Sequence, residues 1–157
     1  MPAQTPSVGT LAPDFTLPRD GGATVSLSAL RPGKVVLYFY PKDDTPGCTL
    51  EAQDFTARLP DFAQADTTVI GISKDSVKAH DKFCKKHGLG VVLASDEEGH
   101  TCEDYGVWLE KSMYGKTYIG VERTTVLIDG AGRVAQVWNK VSVKGHASEV
   151  LAAAAAL

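Results

Sequence analysis

The chain alternates short runs that are apolar throughout with longer stretches whose apolar residues recur at helical spacing. Val35-Val36-Leu37-Tyr38-Phe39-Tyr40 has no polar alternation, which suits a central strand buried on both faces of a sheet. Thr67 to Ser73 and Val91 to Ala94 repeat the pattern as further strands. Between them, the segment from Pro46 toward Pro60 predicts a helix with Pro46 at its first position and Leu50, Phe55 and Leu59 inward. A second helix is expected from about Ser76 to His87, ending at Gly88.

Residues 14–17 and 24–27, joined across Asp20-Gly21-Gly22, read as an N-terminal hairpin. Gly99 to Tyr105 is a short helix. Thr124 to Asp129 and Arg133 to Trp138 flank the turn signal Asp129-Gly130-Ala131-Gly132, so these strands are antiparallel. Ala147 to Leu157 closes the chain as an Ala-rich helix. The order describes an α/β protein: a mixed central sheet flanked by helices, with an N-terminal β-hairpin. Lys111 to Tyr118 reads equally as a pocket wall or a surface loop.

At 157 residues the chain fits one domain, residues 1–157, with a core large enough to need neither disulfides nor a structural metal. A formal charge of −3 without a basic run excludes an electrostatic footprint for nucleic acid or an anionic membrane. Met1 to Ser7 lacks the basic and apolar regions of a secretory signal, and no segment is long enough to span a bilayer, so a cytoplasmic location is expected. Three cysteines are too few, and odd in number, for a structural framework. A disulfide formed in a reducing compartment is then transient and catalytic.

Cys48 ends the run Pro41-Lys42-Asp43-Asp44-Thr45-Pro46-Gly47-Cys48, which leaves the most apolar strand and opens a helix. The first turn of a helix carries unpaired N–H donors and partial positive charge, which favours a thiolate there. In open α/β sheets, chemistry collects beyond the carboxyl ends of the strands, where this loop lies.

Pro41, Thr45 and Cys48 match the pattern P-x-x-x-T-x-x-C, and in this the chain resembles the peroxiredoxins, thiol peroxidases on a thioredoxin fold. Ala12 to Leu17, Gly47 to Ala52, Tyr105 to Trp108 and Glu122 to Asp129 are similar to the peroxiredoxin Q subgroup, also called bacterioferritin comigratory protein. The resemblance runs from about Val8 to Val143. It implies a peroxidatic Cys48 with Thr45 and Arg123 beside it, and Pro41, Gly47 and Glu51 in the surrounding substrate site. It implies reduction of hydrogen peroxide and organic hydroperoxides, recycling by thioredoxin or glutaredoxin, and a monomer. No haem, flavin or metal is implied, because sulfur supplies both electrons.

Acidity alone does not make a peroxidase. Dropping a thiol pKa from about 8.5 to about 6 raises its thiolate fraction at pH 7 roughly thirtyfold. A Brønsted slope of ~0.4–0.5 returns about tenfold of that gain as lost nucleophilicity. Donors must therefore hold the peroxide in line and stabilise charge on the departing oxygen. Arg123, the Thr45 hydroxyl and the Gly47 and Cys48 amides are the candidates. Arg123 reaches Cys48 if its strand runs antiparallel to the central one. In isolation it would read as a surface ion pair, Thr45 as a helix cap, and Glu51 either as a solvated carboxylate or as a partner orienting Arg123. Asp43 and Asp44 oppose a thiolate, which Lys42 and Arg123 must outweigh.

Many peroxiredoxin Q members carry a second cysteine five residues after the first; here that position is Gln53. The remaining options are Cys84, Cys102 or a thiol of another molecule. Another branch of the subgroup resembles this layout, with the second cysteine on the following helix, and so implies Cys84 as the resolving residue. His80, Lys85, Lys86 and His87 around Cys84 are expected to favour its thiolate. Cys102, beside Glu103 and Asp104, reads as structural. Disulfide closure between two helices would require local unwinding.

Three alternatives differ in class. His80, Cys84 and His87 fall on one helical face and form a three-ligand metal set without an evident fourth. A thioredoxin-like oxidoreductase lacks its Cys-x-x-Cys here, and all eight prolines lie at or before Pro60, so none precedes the strand from Thr124. A redox sensor or holdase would use the same disulfide but oxidise once per signal.

Overall fold

Residues 5–157 are described by a computed structural model. The expected N-terminal hairpin pairs β1 (Thr16–Pro18) with β2 (Thr24–Ser26). β3 (Lys34–Phe39) leads to α1 (Pro46–Ala57), α2 (Leu59–Gln64) and β4 (Thr67–Ser73), which runs parallel to β3. α3 (Val77–His87) and β5 (Val92–Ser95) repeat that unit. After α4 (Thr101–Asp104) come β6 (Trp108–Met113) and β7 (Lys116–Val121), then β8 (Thr124–Ile128), β9 (Val134–Trp138) and α5 (His146–Ala156). The main sheet has the order β5-β4-β3-β8-β9 and is mixed, as expected, because β8 pairs antiparallel with both neighbours.

Alternation along β3 divides the interior in two. Val35, Leu37 and Phe39 face a core shared with the N-terminal hairpin and Tyr105. Val36 and Tyr38, continued by Tyr40, face a second core with Phe55, Phe62, Phe83 and Val150 of the helices. Cys48 belongs to the second core. No helix among the described residues is long and apolar enough to cross a membrane.

Three expectations are corrected. The helix from Pro46 breaks at Arg58 (φ −104°, ψ 3°), because Pro60 cannot continue a helix through its own ring and instead sits in the first turn of α2. The buried stripe of α1 is Cys48, Glu51, Ala52 and Phe55, so Leu50 falls off it and is exposed, while Leu59 is half-buried. Lys111 to Tyr118 is neither a loop nor wholly a wall: it is most of the β6–β7 hairpin, turned by Tyr114 and Gly115, both at positive φ. That hairpin stands apart from the main sheet and is largely exposed, so no apolar stripe marked it.

Gly71 sits opposite Tyr38 in the β3–β4 register, and the tyrosine ring lies across it. A Cβ there would be 2.6 Å from Tyr38 Cζ and 2.8 Å from Leu93 Cδ2. Gly71→Ala should lower stability by about 1–3 kcal/mol in urea unfolding, the usual cost of overpacking. An unchanged midpoint would show that the ring can swing clear.

Candidate active site

Thr45 occupies the cap position of α1 by its extended backbone (φ −96°, ψ 156°), and Pro46 takes the first turn. The first intrahelical bond runs from the Thr49 amide to the Thr45 carbonyl at 2.8 Å. The amides of Gly47 and Cys48 therefore have no acceptor within the helix. The Thr45 side chain does not cap: its hydroxyl donates to the Lys42 carbonyl at 3.0 Å and closes the loop on itself. Pro41 is exposed where the loop leaves Tyr40.

Arg123 comes from across the sheet. Phe39 pairs with Thr124, which sets Arg123 beside the carboxyl end of β3, and the Val141 amide fixes its carbonyl at 3.0 Å. Its Nη2 donates to Cys48 Sγ at 3.2 Å and its Nη1 to Glu51 Oε1 at 2.6 Å. Gly47 leaves room for this, since a Cβ there would meet Nη2 at 3.3 Å. Cys48 is only 2% exposed, so the sulfur lies just below the surface beside the partly exposed Gly47 and Arg123.

Asp43 and Asp44 point away from sulfur. Asp43 accepts the Tyr40 hydroxyl at 2.5 Å and faces His80 Nδ1 at 2.7 Å; Asp44 pairs with Lys86 at 2.7 Å and His87 at 2.8 Å. Of the cations expected to activate Cys84, His80, Lys86 and His87 are thus engaged by the loop. Burial, reinforced by Asp20, Asp43 and Asp81, pushes the Cys84 thiol up to about 12, the reverse of the expectation. His80, Cys84 and His87 also do not converge as a metal set: His80 is enclosed between Asp43 and the Ala94 carbonyl, and His87 turns to Asp44. Cys102 is fully buried over Asp96, whose carboxylate accepts the amides of Thr101 and Cys102, and burial with Asp96 raises its thiol well above the ordinary range. All three cysteines are free.

Residues 8–137 match the AhpC/TSA family. Peroxiredoxin Bcp of Bacillus subtilis is 48% identical over 147 residues, covering 94% of each chain. The chain belongs to this family and is a peroxiredoxin of the Q, or Bcp, group. The solved structure of Xanthomonas campestris peroxiredoxin Q superimposes with a TM-score of 0.88 at 45% identity, over 99% of this chain and 98% of that one. A ligand-complex study of alkyl peroxide reduction by the bacterioferritin comigratory protein of the same organism gives 0.86 at 46% identity, over 90% of each. The peroxiredoxin is accordingly a thiol peroxidase, and the thioredoxin fold that the family resemblance implied is the one it has.

In this peroxiredoxin the most perturbed carboxylic acid at the site is Glu51, which the sequence offered either as a solvated first-turn carboxylate or as a partner orienting Arg123. Burial pushes Glu51 up to about 7 against the pull of Arg123, and its Oε2 is buried without a partner. Arg123 stays cationic: burial opposes its charge, but Glu51 and Cys48 together raise its pKa. Because the Glu51 value is raised on folding, its contribution favours the native state fully below 4.5 and is lost as pH rises through about 7. Glu51→Gln should flatten the pH dependence of stability across that interval by about 3 kcal/mol, read from urea unfolding at a series of pH values. An unaltered pH profile would show that Glu51 is ionised throughout.

Proposed function

We propose that Cys48 is the peroxidatic cysteine of a single-domain, monomeric, cytoplasmic enzyme acting on hydrogen peroxide and organic hydroperoxides. The observation that carries this reading is one guanidinium bridging Cys48 Sγ and Glu51 at the open end of α1. The thiolate attacks the terminal peroxide oxygen; an S–O bond forms, the O–O bond breaks, and its electron pair leaves on hydroxide or alkoxide, which takes a proton. Sulfur ends as sulfenic acid, oxidised by two electrons, and the peroxide as water or alcohol. Arg123 and the Gly47 and Cys48 amides stabilise the charge that grows on oxygen, and the Thr45 hydroxyl joins them as a donor only by giving up its bond to the Lys42 carbonyl. Pro41 has no N–H to compete at the head of the loop. Alkyl peroxide reduction by the Xanthomonas protein supports organic hydroperoxides as substrates.

Cys84 then resolves the sulfenic acid: its thiolate attacks the Cys48 sulfur, a disulfide forms, and hydroxide leaves as water after taking a proton. Both cysteines border the same apolar cluster. With its thiol at about 12 in the folded arrangement, Cys84 becomes a nucleophile only when its helix unwinds and water reaches it. Thioredoxin or glutaredoxin reopens the bond. Cys48→Ser should abolish peroxidase turnover, Cys84→Ser should stop recycling by a disulfide-specific reductant after one turnover, and Cys102→Ser should change little. Mass mapping under non-reducing conditions after one equivalent of peroxide should find Cys48 linked to Cys84. Full recycling by Cys84→Ser would move the resolving role elsewhere.

A further inference from the structure

Two carboxylates tie the Cys48 loop to α3, the helix that carries Cys84. Asp44, at φ 60°, makes its pairs with Lys86 and His87 at the surface, where screening leaves them weak. Asp43 makes the interior pair, and His80 there is fully buried. His80 Nδ1 lies 2.7 Å from Asp43 Oδ2 and Nε2 lies 3.0 Å from the Ala94 carbonyl oxygen. Asp43 Oδ1 already accepts from the Tyr40 hydroxyl. Both ring nitrogens therefore face acceptors, whereas a neutral imidazole has one N–H and would aim a lone pair at one of them. The arrangement suits an imidazolium. The groups that face it are Asp43 of the loop, Tyr40 at the end of β3, Asp75 ahead of α3, the Ala94 carbonyl of β5 and, one turn along α3, Cys84.

We propose that the buried His80–Asp43 ion pair is a latch that sets the rate at which Cys84 reaches the Cys48 sulfenic acid, with His80 as a positioning residue. The proposal rests on Cys84 being the resolving cysteine. In the latched arrangement the two sulfurs are unbonded, and bringing them together requires the loop and the helix to part from their present contacts. A buried pair resists this because each charge would lose its partner in a poorly solvated site. Burial opposes the His80 charge, but the hydrogen bond and charge of Asp43, the Ala94 carbonyl and Asp75 outweigh it and raise its pKa. The latch is then complete below the ordinary histidine value and loosens as pH rises through the raised one. While it holds, the sulfenic acid lives longer, and a second peroxide can oxidise it to sulfinic acid with release of water or alcohol. Over-oxidation should therefore be greater in mild acid than in mild base.

The test compares disulfide closure in wild type and His80→Gln, by stopped-flow fluorescence after one equivalent of hydrogen peroxide and by mass mapping of the bond. The variant should close about tenfold faster or more near about pH 6, and the ratio of the two rates should fall toward one as pH rises past the histidine titration. Ionisation of Cys84 and of the sulfenic acid is common to both proteins and cancels in that ratio. The rate of Cys48 oxidation should be unchanged in the variant, and its sulfinic acid yield under excess peroxide lower. Asp43→Asn should also close faster, and the double variant should add little to either single change. If the variants do not fold, hydrogen exchange in wild type decides: α3 amides should open more readily above the histidine titration than below it. A Cys48–Cys84 bond whose rate ignores His80 at every pH, or α3 exchange indifferent to that titration, overturns the latch alone. Absence of that bond overturns the resolving assignment and the latch with it.

Discussion

Antiparallel pairing of β8 with β3 is the constraint on which the site depends. A parallel neighbour would present its carboxyl end beside Tyr40, whereas β8 presents its amino end and delivers Arg123 over the first turn of α1. The guanidinium is a rigid planar fork, so one residue can hold sulfur and carboxylate together. Gly47 on the helix and the Val141 contact on the strand keep that fork in place from both sides.

The surroundings then make this contact matter. Cys48 and Glu51 are almost closed to solvent, and the second core beneath them is built from Tyr38, Tyr40, Phe55 and Phe83. Charge on Glu51 and on Arg123 is consequently little screened, and the protonation of each responds to the other. The two loop aspartates, which would otherwise oppose negative sulfur, are drawn to the cations of α3. The same contacts hold the Cys84 helix in place, so organising one cysteine and restraining the other are two effects of one set of ion pairs.

Much of this was legible in the residues, and the exceptions share a cause. The apolar run from Val35 to Tyr40, the Pro46 start and the Asp129-Gly130 turn each depend on local chemistry, and each corresponds to an observed element. Cys48, Gly47, Glu51 and Arg123 do come together, because motif spacing and strand direction suffice to place them, whereas the Thr45 hydroxyl turns to the Lys42 carbonyl. What failed was inference of partners from sequence neighbours. His80, Lys86 and His87 surround Cys84 along the helix, yet a loop some forty residues away holds them. Leu50 looked inward only until the buried stripe of α1 was known, and the β6–β7 hairpin pairs with itself alone. Such long-range pairings leave no periodic trace.

The central claim is that Arg123 acts on the oxygen–oxygen bond as it breaks, beyond helping sulfur to ionise. Paired stopped-flow rates decide it: oxidation of Cys48 by hydrogen peroxide and its alkylation by iodoacetamide, in wild type and in Arg123→Lys. The account predicts that peroxide reactivity falls by about 10²–10³ while alkylation, which needs only the thiolate, falls less than about tenfold. Equal losses in both reactions would contradict it, leaving the guanidinium as no more than a counter-ion for sulfur.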